Sequence, residues 1–115
     1  MGTHMNIDVT QSSGVAVVVP RGDLDMAAVP DVRSALTGLL DNGQSRLLID
    51  LDDVGYIDSS GMGTLIAAMK QARAAGGDVR LCGLQEDVRI IFEITRVMQA
   101  MSIHSTRQEA LASWR

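Results

Sequence analysis

Asp58, Ser59 and Ser60 stand in a row, with Tyr56 and Ile57 before them and Gly61, Met62 and Gly63 after. A carboxylate, two hydroxyls and two glycines at this spacing suit one of two tasks: capping a helix, or presenting a group for modification or recognition. Capping needs one side-chain oxygen to accept from the free N–H groups of a first helical turn, a service worth about 1 kcal/mol. Three candidate oxygens in succession exceed that need, and the glycines weaken the helix start they would cap. A phosphate on one of the hydroxyls would bring about −1.5 to −2 charges to a helix N-terminus, where the dipole favours it. The modified protein would stay folded. The same charge beside Asp58, and beside Asp25 if the loops converge, would repel a partner that docks through acidic or apolar surface.

Other chemistries lack their parts. Serine hydrolysis needs a base near the nucleophile, and beyond the first four residues the only histidine is His104, in a strand-like stretch read as structural. No Gly-x-Ser-x-Gly elbow surrounds Ser59 or Ser60, so no catalytic residue is expected and the chain reads as a non-enzyme. Metal binding has no Cys/His spacing to draw on, and Asp50, Asp52 and Asp53 lack the downstream Glu of a calcium loop. Gly61-Met-Gly63 is a fragment of a nucleotide-binding loop, so no cofactor is expected. The single cysteine, Cys82, lies in Val-Arg-Leu-Cys-Gly and reads as a buried, inert thiol with no disulfide.

Charge narrows the partners. Ten Lys and Arg against fourteen Asp and Glu give a net charge of −4 with no basic cluster, which argues against nucleic acid and anionic membrane surfaces and for a protein partner or small ligand. The chain is 46% hydrophobic and 21% charged, and its longest apolar runs are too short to span a bilayer. One domain over residues 5–115 is expected, with Met1–His4 read as an expression scar.

The elements that must position the loop follow from patterning. Asn6–Thr10 and the Val-rich Val15–Pro20 flank Gln-Ser-Ser-Gly and predict a β-hairpin whose first strand is an edge. Met26–Leu40 repeats Val29, Val32, Leu36 and Leu39/Leu40 at helical spacing, with Pro30 tolerable only in the first turn. Asp25 then lies near the helix start, as cap or as functional carboxylate. Arg46–Leu51 is a short, nearly continuous apolar run, as a strand covered on both faces would be, parallel to the strand before it.

After the Asp58 loop, Met62, Leu65, Ile66, Met69 and Ala72 form one helical stripe that stops at Gly76-Gly77. Gly63, Thr64, Ala67, Gln71 and Ala74 make the opposite face, either a flat approach for another backbone or merely solvated. Asp78–Cys82 predicts a strand and Gln85–Val97 a helix with Val88, Ile91, Phe92 and Thr95 inward. Ile90, Ile94 and Val97 are expected to pack under Met98–Ser105, which holds a short last strand. Thr106-Arg-Gln-Glu109 has capping-box spacing and opens a closing helix through Trp114. The fold class is α/β: a mixed sheet of four or five strands, hairpin first and parallel strands after, with about four helices on it.

Gly22-Asp-Leu-Asp25 after a Val-rich strand, then Leu-Leu-Ile-Asp-Leu and Val-x-Tyr-Ile-Asp-Ser-Ser-Gly-Met-Gly-Thr-Leu, resembles a STAS domain of the bacterial anti-sigma factor antagonist type. The likeness runs from Val15 to the closing Ser105, Ala110 and Leu111. It implies a small cytoplasmic non-enzyme, monomeric or weakly dimeric. In its unphosphorylated form such a protein binds an anti-sigma factor serine kinase and frees a sigma factor. The resemblance maps the phosphate to Ser59 and partner contacts to Asp25, Asp58, Ser60, Gly61, Met62 and Gly63. ATP would belong to the kinase, and a serine phosphatase would reset the switch. The alternative implied by the same domain type is a small subunit of a lipid or anion transport complex in the membrane. Two departures stand out: Arg96 where the family commonly has glycine, and Met101 where an aromatic is common, which leaves the path of residues 95–105 open.

Overall fold

The first two strands set the frame. β1 (Asn6–Ser12) and β2 (Val15–Arg21) pair antiparallel around Ser13 and Gly14, whose φ values of 51° and 83° are those of a type I′ turn. In this computed structural model, which describes residues 5–114, the remaining elements are α1 (Val29–Asp41), β3 (Arg46–Asp50), α2 (Ser59–Ala74), β4 (Asp78–Cys82), α3 (Glu86–Ile94), β5 (Ser102–His104) and α4 (Arg107–Ala112). The expected expression scar at residues 1–4 lies outside the described residues. The strands form one mixed sheet in the order β1-β2-β3-β4-β5, parallel from β2 onward. No helix among the described residues is long and apolar enough to cross a membrane.

The core has two layers. On the side of α1, α2 and α3, Ala16, Val18, Leu47, Ile49 and Leu81 of the sheet meet Leu36, Leu65, Met69 and Phe92. On the other, Val15, Val17, Leu48 and Cys82 are covered by Ala110, with Leu111 and Trp114 packed alongside. Leu47, Leu48 and Ile49 of β3 are at most 1% exposed, so the apolar run belongs to a central strand buried on both faces. The edges of this framework are tied by charge: Asp78 pairs with Arg73 at 2.9 Å and Arg80 at 3.1 Å, and Arg80 lies 4.2 Å from the Trp114 ring centre. Asp50 pairs with Arg107 of α4 at 2.8 Å.

Several boundaries differ from the sequence reading for local reasons. α1 begins at Val29 rather than Met26 because the backbone and side-chain oxygens of Asp25 both accept from the Ala28 N–H, closing a turn before the helix. Pro30 does fall in the first turn, where no N–H is missed. α3 stops at Ile94 rather than Val97, because Arg96 takes the left-handed conformation (φ 61°, ψ 17°) and sends the chain into a 3-10 turn at Val97–Gln99.

Ile90 and Ile94 do not pack under the terminal segment. They stand 40% and 72% exposed, since Val88 and Phe92 turn inward and a residue two positions from each falls on the opposite side of the helix. Val97, Met98, Met101 and Ile103 of that region do pack against the core. On α2, spacing alone sets Thr64 on the open face, yet it is buried and donates its hydroxyl to the Ser60 carbonyl at 2.9 Å.

Candidate functional site

The site lies where β2 and β3 end. Beyond the last paired residues of those strands the two chains keep running side by side. The Gly22 N–H donates to the Asp53 carbonyl at 3.1 Å, the Leu24 N–H to Tyr56 at 2.9 Å, and the Asp58 N–H to Leu24 at 3.1 Å. Leu24 and Ile57 form a parallel bridge and are 1% and 2% exposed, so two loops are stitched together over buried side chains. Ile57 anchors the loop from within, whereas the neighbouring Tyr56 side chain is 52% exposed.

Asp58 is the N-cap of α2. Its Oδ1 accepts from the Gly61 N–H and from the Ser60 hydroxyl, both at 2.9 Å, and its Oδ2 accepts from the Met26 N–H at 3.0 Å. These donors, the Gly61 amide above all, hold the carboxyl below its ordinary range and keep it ionised. The two tasks read from the sequence thereby separate. Asp58 caps, Ser60 is engaged by the cap, and Ser59, the first residue of α2, is exposed with its hydroxyl making no hydrogen bond among the described residues.

The other residues singled out take distinct places. Gly61 is buried where a Cβ would collide with the Leu24 carbonyl, so close backbone approach explains the glycine. Gly63, two residues further along the helix, is exposed with nothing within 4 Å of where a Cβ would stand. Met62 is 5% exposed, and its sulfur lies 3.5 Å from the Thr95 hydroxyl. Asp25 sits on the facing loop, bound at 3.2 Å to the Ala28 N–H, and reaches the Asp58 carboxylate only through the neighbouring Met26 amide.

Two surface grooves flank α2 at this end. One, about 390 Å³, runs between α2 and α3 past Tyr56, Ser59, Met62, Ile66 and Ile91. The other, about 380 Å³, lies between α1 and α2 past Val29, Arg33, Leu36, Ser60 and Ala67. Gly63 lines both.

Met26 is the residue that pattern reading misses. It is 74% exposed at the rim, and its contribution to Asp58 comes from a backbone N–H. The only trace in the sequence is the period-two alternation of Gly22-Asp23-Leu24-Asp25 continuing the strand. His104 lies across β4 from the strand that feeds the loop, in register with Cys82, and its buried Nε2 has no hydrogen-bond partner among the described residues. No group of three His, Cys, Asp or Glu side chains able to hold a metal occurs among the described residues.

The STAS domain family matches residues 6–110, nearly the whole chain. The chain belongs to the STAS-domain family. This STAS domain is 32% identical over 100 residues to the anti-sigma-B factor antagonist of Bacillus subtilis, covering 87% of this chain and 91% of that one. Among solved structures it superposes on an anti-sigma factor antagonist from Mycobacterium paratuberculosis with a TM-score of 0.87 at 23% identity, over 95% of this chain and 92% of the other. It also superposes on the Bacillus cell fate determinant SpoIIAA in its phosphorylated form with a TM-score of 0.73 at 21% identity, over 96% and 100% of the two chains. At those identities the two structures speak for the fold. Within that fold, the Asp58 loop of this STAS domain occupies the carboxyl end of a central parallel strand and the amino end of a helix, where open α/β sheets gather their contacts.

Proposed function

We propose that this STAS-domain protein is an anti-sigma factor antagonist. Its unphosphorylated form binds an anti-sigma factor with serine-kinase activity, and phosphorylation of Ser59 switches the binding off. The observation that carries the reading is the free Ser59 hydroxyl beside an Asp58 that already does the capping. A kinase can take this hydroxyl without dismantling the helix start. The curated relative's name, anti-sigma-B factor antagonist, supports the partner class. The partner surface comprises Asp25, Asp58, Ser60 and Gly63 with the grooves beside α2, and the buried Gly61 and Met62 hold that surface in place from behind. ATP belongs to the kinase, and a serine phosphatase restores the binding form.

A phosphate at Ser59 sits in the first turn of α2, where unpaired N–H groups and the helix dipole favour it. It also adds like charge beside the ionised Asp58, which repels a partner that docks here through acidic or apolar surface of its own. The test pairs the protein with its cognate kinase and ATP and locates the phosphate by mass spectrometry. One phosphate on Ser59 is expected, absent in Ser59→Ala. Ser59→Asp should weaken kinase binding at least tenfold while leaving the melting temperature near that of wild type. Phosphate uptake by Ser59→Ala equal to wild type refutes the assignment.

A further inference from the structure

We propose that β1 pairs edge to edge with β1 of a second copy of this chain, joining two five-stranded sheets across a two-fold axis at Val9. The argument begins at the hairpin turn. A two-residue type I′ turn makes Ser12 and Val15 a hydrogen-bonded pair, so the backbones of Ser12, Thr10, Asp8 and Asn6 face β2. The N–H and C=O groups of Ile7, Val9 and Gln11 therefore point away from the sheet. The parity is confirmed on the far side of β2, where the next outward position, Gly22, donates to the Asp53 carbonyl of the β3 loop.

β1 is a sheet edge seven residues long, in unbroken register from Asn6↔Arg21 to Ser12↔Val15. Edges in native proteins are ordinarily blunted by a bulge, a proline, a lysine or an inward charge. β1 has none of these: its sequence is Asn-Ile-Asp-Val-Thr-Gln-Ser, and its one charge, Asp8, is neutralised by Arg21 at 2.8 Å. The opposite edge of the sheet, β5, has only three residues.

The sequence of β1 selects its own register. With the two-fold axis at Val9, Val9 meets Val9 and Ile7 meets Gln11 as hydrogen-bonded pairs, and all six outward backbone groups of each copy find partners. Asp8 then stands opposite Thr10. Sliding the axis to Asp8 would set two carboxylates face to face, which is destabilising. Val9, a large apolar side chain left 42% exposed, is covered by its own symmetry mate in the favoured register. The contact is isologous and closed, so it ends at two copies. An edge contact buries little area, so the dimer is weak and depends on concentration.

The proposal is independent of the Ser59 reading and of any partner. The test is sedimentation of the full chain over a concentration series, combined with amide hydrogen exchange at low and high concentration. A monomer–dimer equilibrium is expected, with the Ile7, Val9 and Gln11 amides gaining protection as dimer forms. Val9→Lys should raise the dissociation constant about tenfold by opposing two ammonium groups. Val9→Pro removes an N–H that serves no bond within the hairpin and should act likewise, each variant keeping the wild-type circular dichroism. A monomer at every concentration overturns the proposal. So does a dimer that leaves those three amides unprotected, a readout on wild type that depends on no variant folding.

Discussion

Single residues at the loop divide into those the backbone requires and those it leaves free, and substitution should separate them. Gly61→Ala would drive a methyl into the Leu24 carbonyl, pushing apart the two stitched loops. A cost of about 2–3 kcal/mol is expected in denaturant unfolding. Gly63→Ala meets nothing and removes a helix-interior glycine, so it should stabilise by about 0.5–1 kcal/mol in the same measurement. Under the proposed reading, Gly63→Ala should at the same time weaken kinase binding, since the added methyl projects between the two grooves.

Asp58→Ala should lower the melting temperature by a few degrees at neutral pH, because the Gly61 and Met26 amides and the Ser60 hydroxyl lose their acceptor. The pH dependence has a definite sign. The folded-state carboxyl titrates below its unfolded value, so its stabilisation is full above the unfolded pKa and fades as pH falls through the folded one. The melting-temperature gap between wild type and Asp58→Ala should narrow below about pH 4 and stay constant above pH ~6.

Among the elements, α3 and its exit show best where pattern reading reached and where it stopped. Helical spacing puts Val88, Ile91, Phe92 and Thr95 inward; Val88 and Phe92 are buried and Ile91 packs partly buried against the core, but Thr95, just past the helix end, is exposed. It also assigned Ile90 and Ile94 to a partner segment that does not cover them, because spacing gives a side chain's angle around the helix and not what lies outside it. The glycine replaced by Arg96 marked the right place for trouble. The position is left-handed, which costs a non-glycine residue about 1 kcal/mol, and the helix ends there. Arg96→Gly should therefore stabilise the protein, by about 0.5 kcal/mol once the greater freedom of the unfolded glycine is deducted, measured as a shift in denaturation midpoint. A loss of stability would mean that the arginine side chain contributes more than its backbone strain costs.

At the scale of the molecule, the order of strands and helices was legible because each signal was local. The Leu47–Ile49 run, the Ser13-Gly14 turn and the stop at Gly76-Gly77 each depend on neighbours in sequence. The candidate site was legible only in its side chains. The Met26 amide that completes the Asp58 cap carries no residue signature, since every non-proline residue offers one, and the meeting of the two loops is a tertiary fact. Cys82, read as inert, is 1% exposed with its thiol pushed up to about 12, first by burial and then by the nearby Asp50 charge. Iodoacetamide at pH 8 should leave native protein unlabelled and alkylate it fully in guanidinium, so that slow native labelling reports the opening of the sheet. Fast labelling under native conditions would place the thiol near solvent and contradict the packing of α4 over it.

The bridge between Leu24 and Ile57 has a consequence for how recognition is spent thermodynamically. Surface loops ordinarily surrender conformational freedom when a partner docks, and that entropy is subtracted from affinity. Here three backbone hydrogen bonds have already ordered both loops in the free protein. A partner meets a rigid template, so association should carry little of the unfavourable ordering entropy typical of loop recognition.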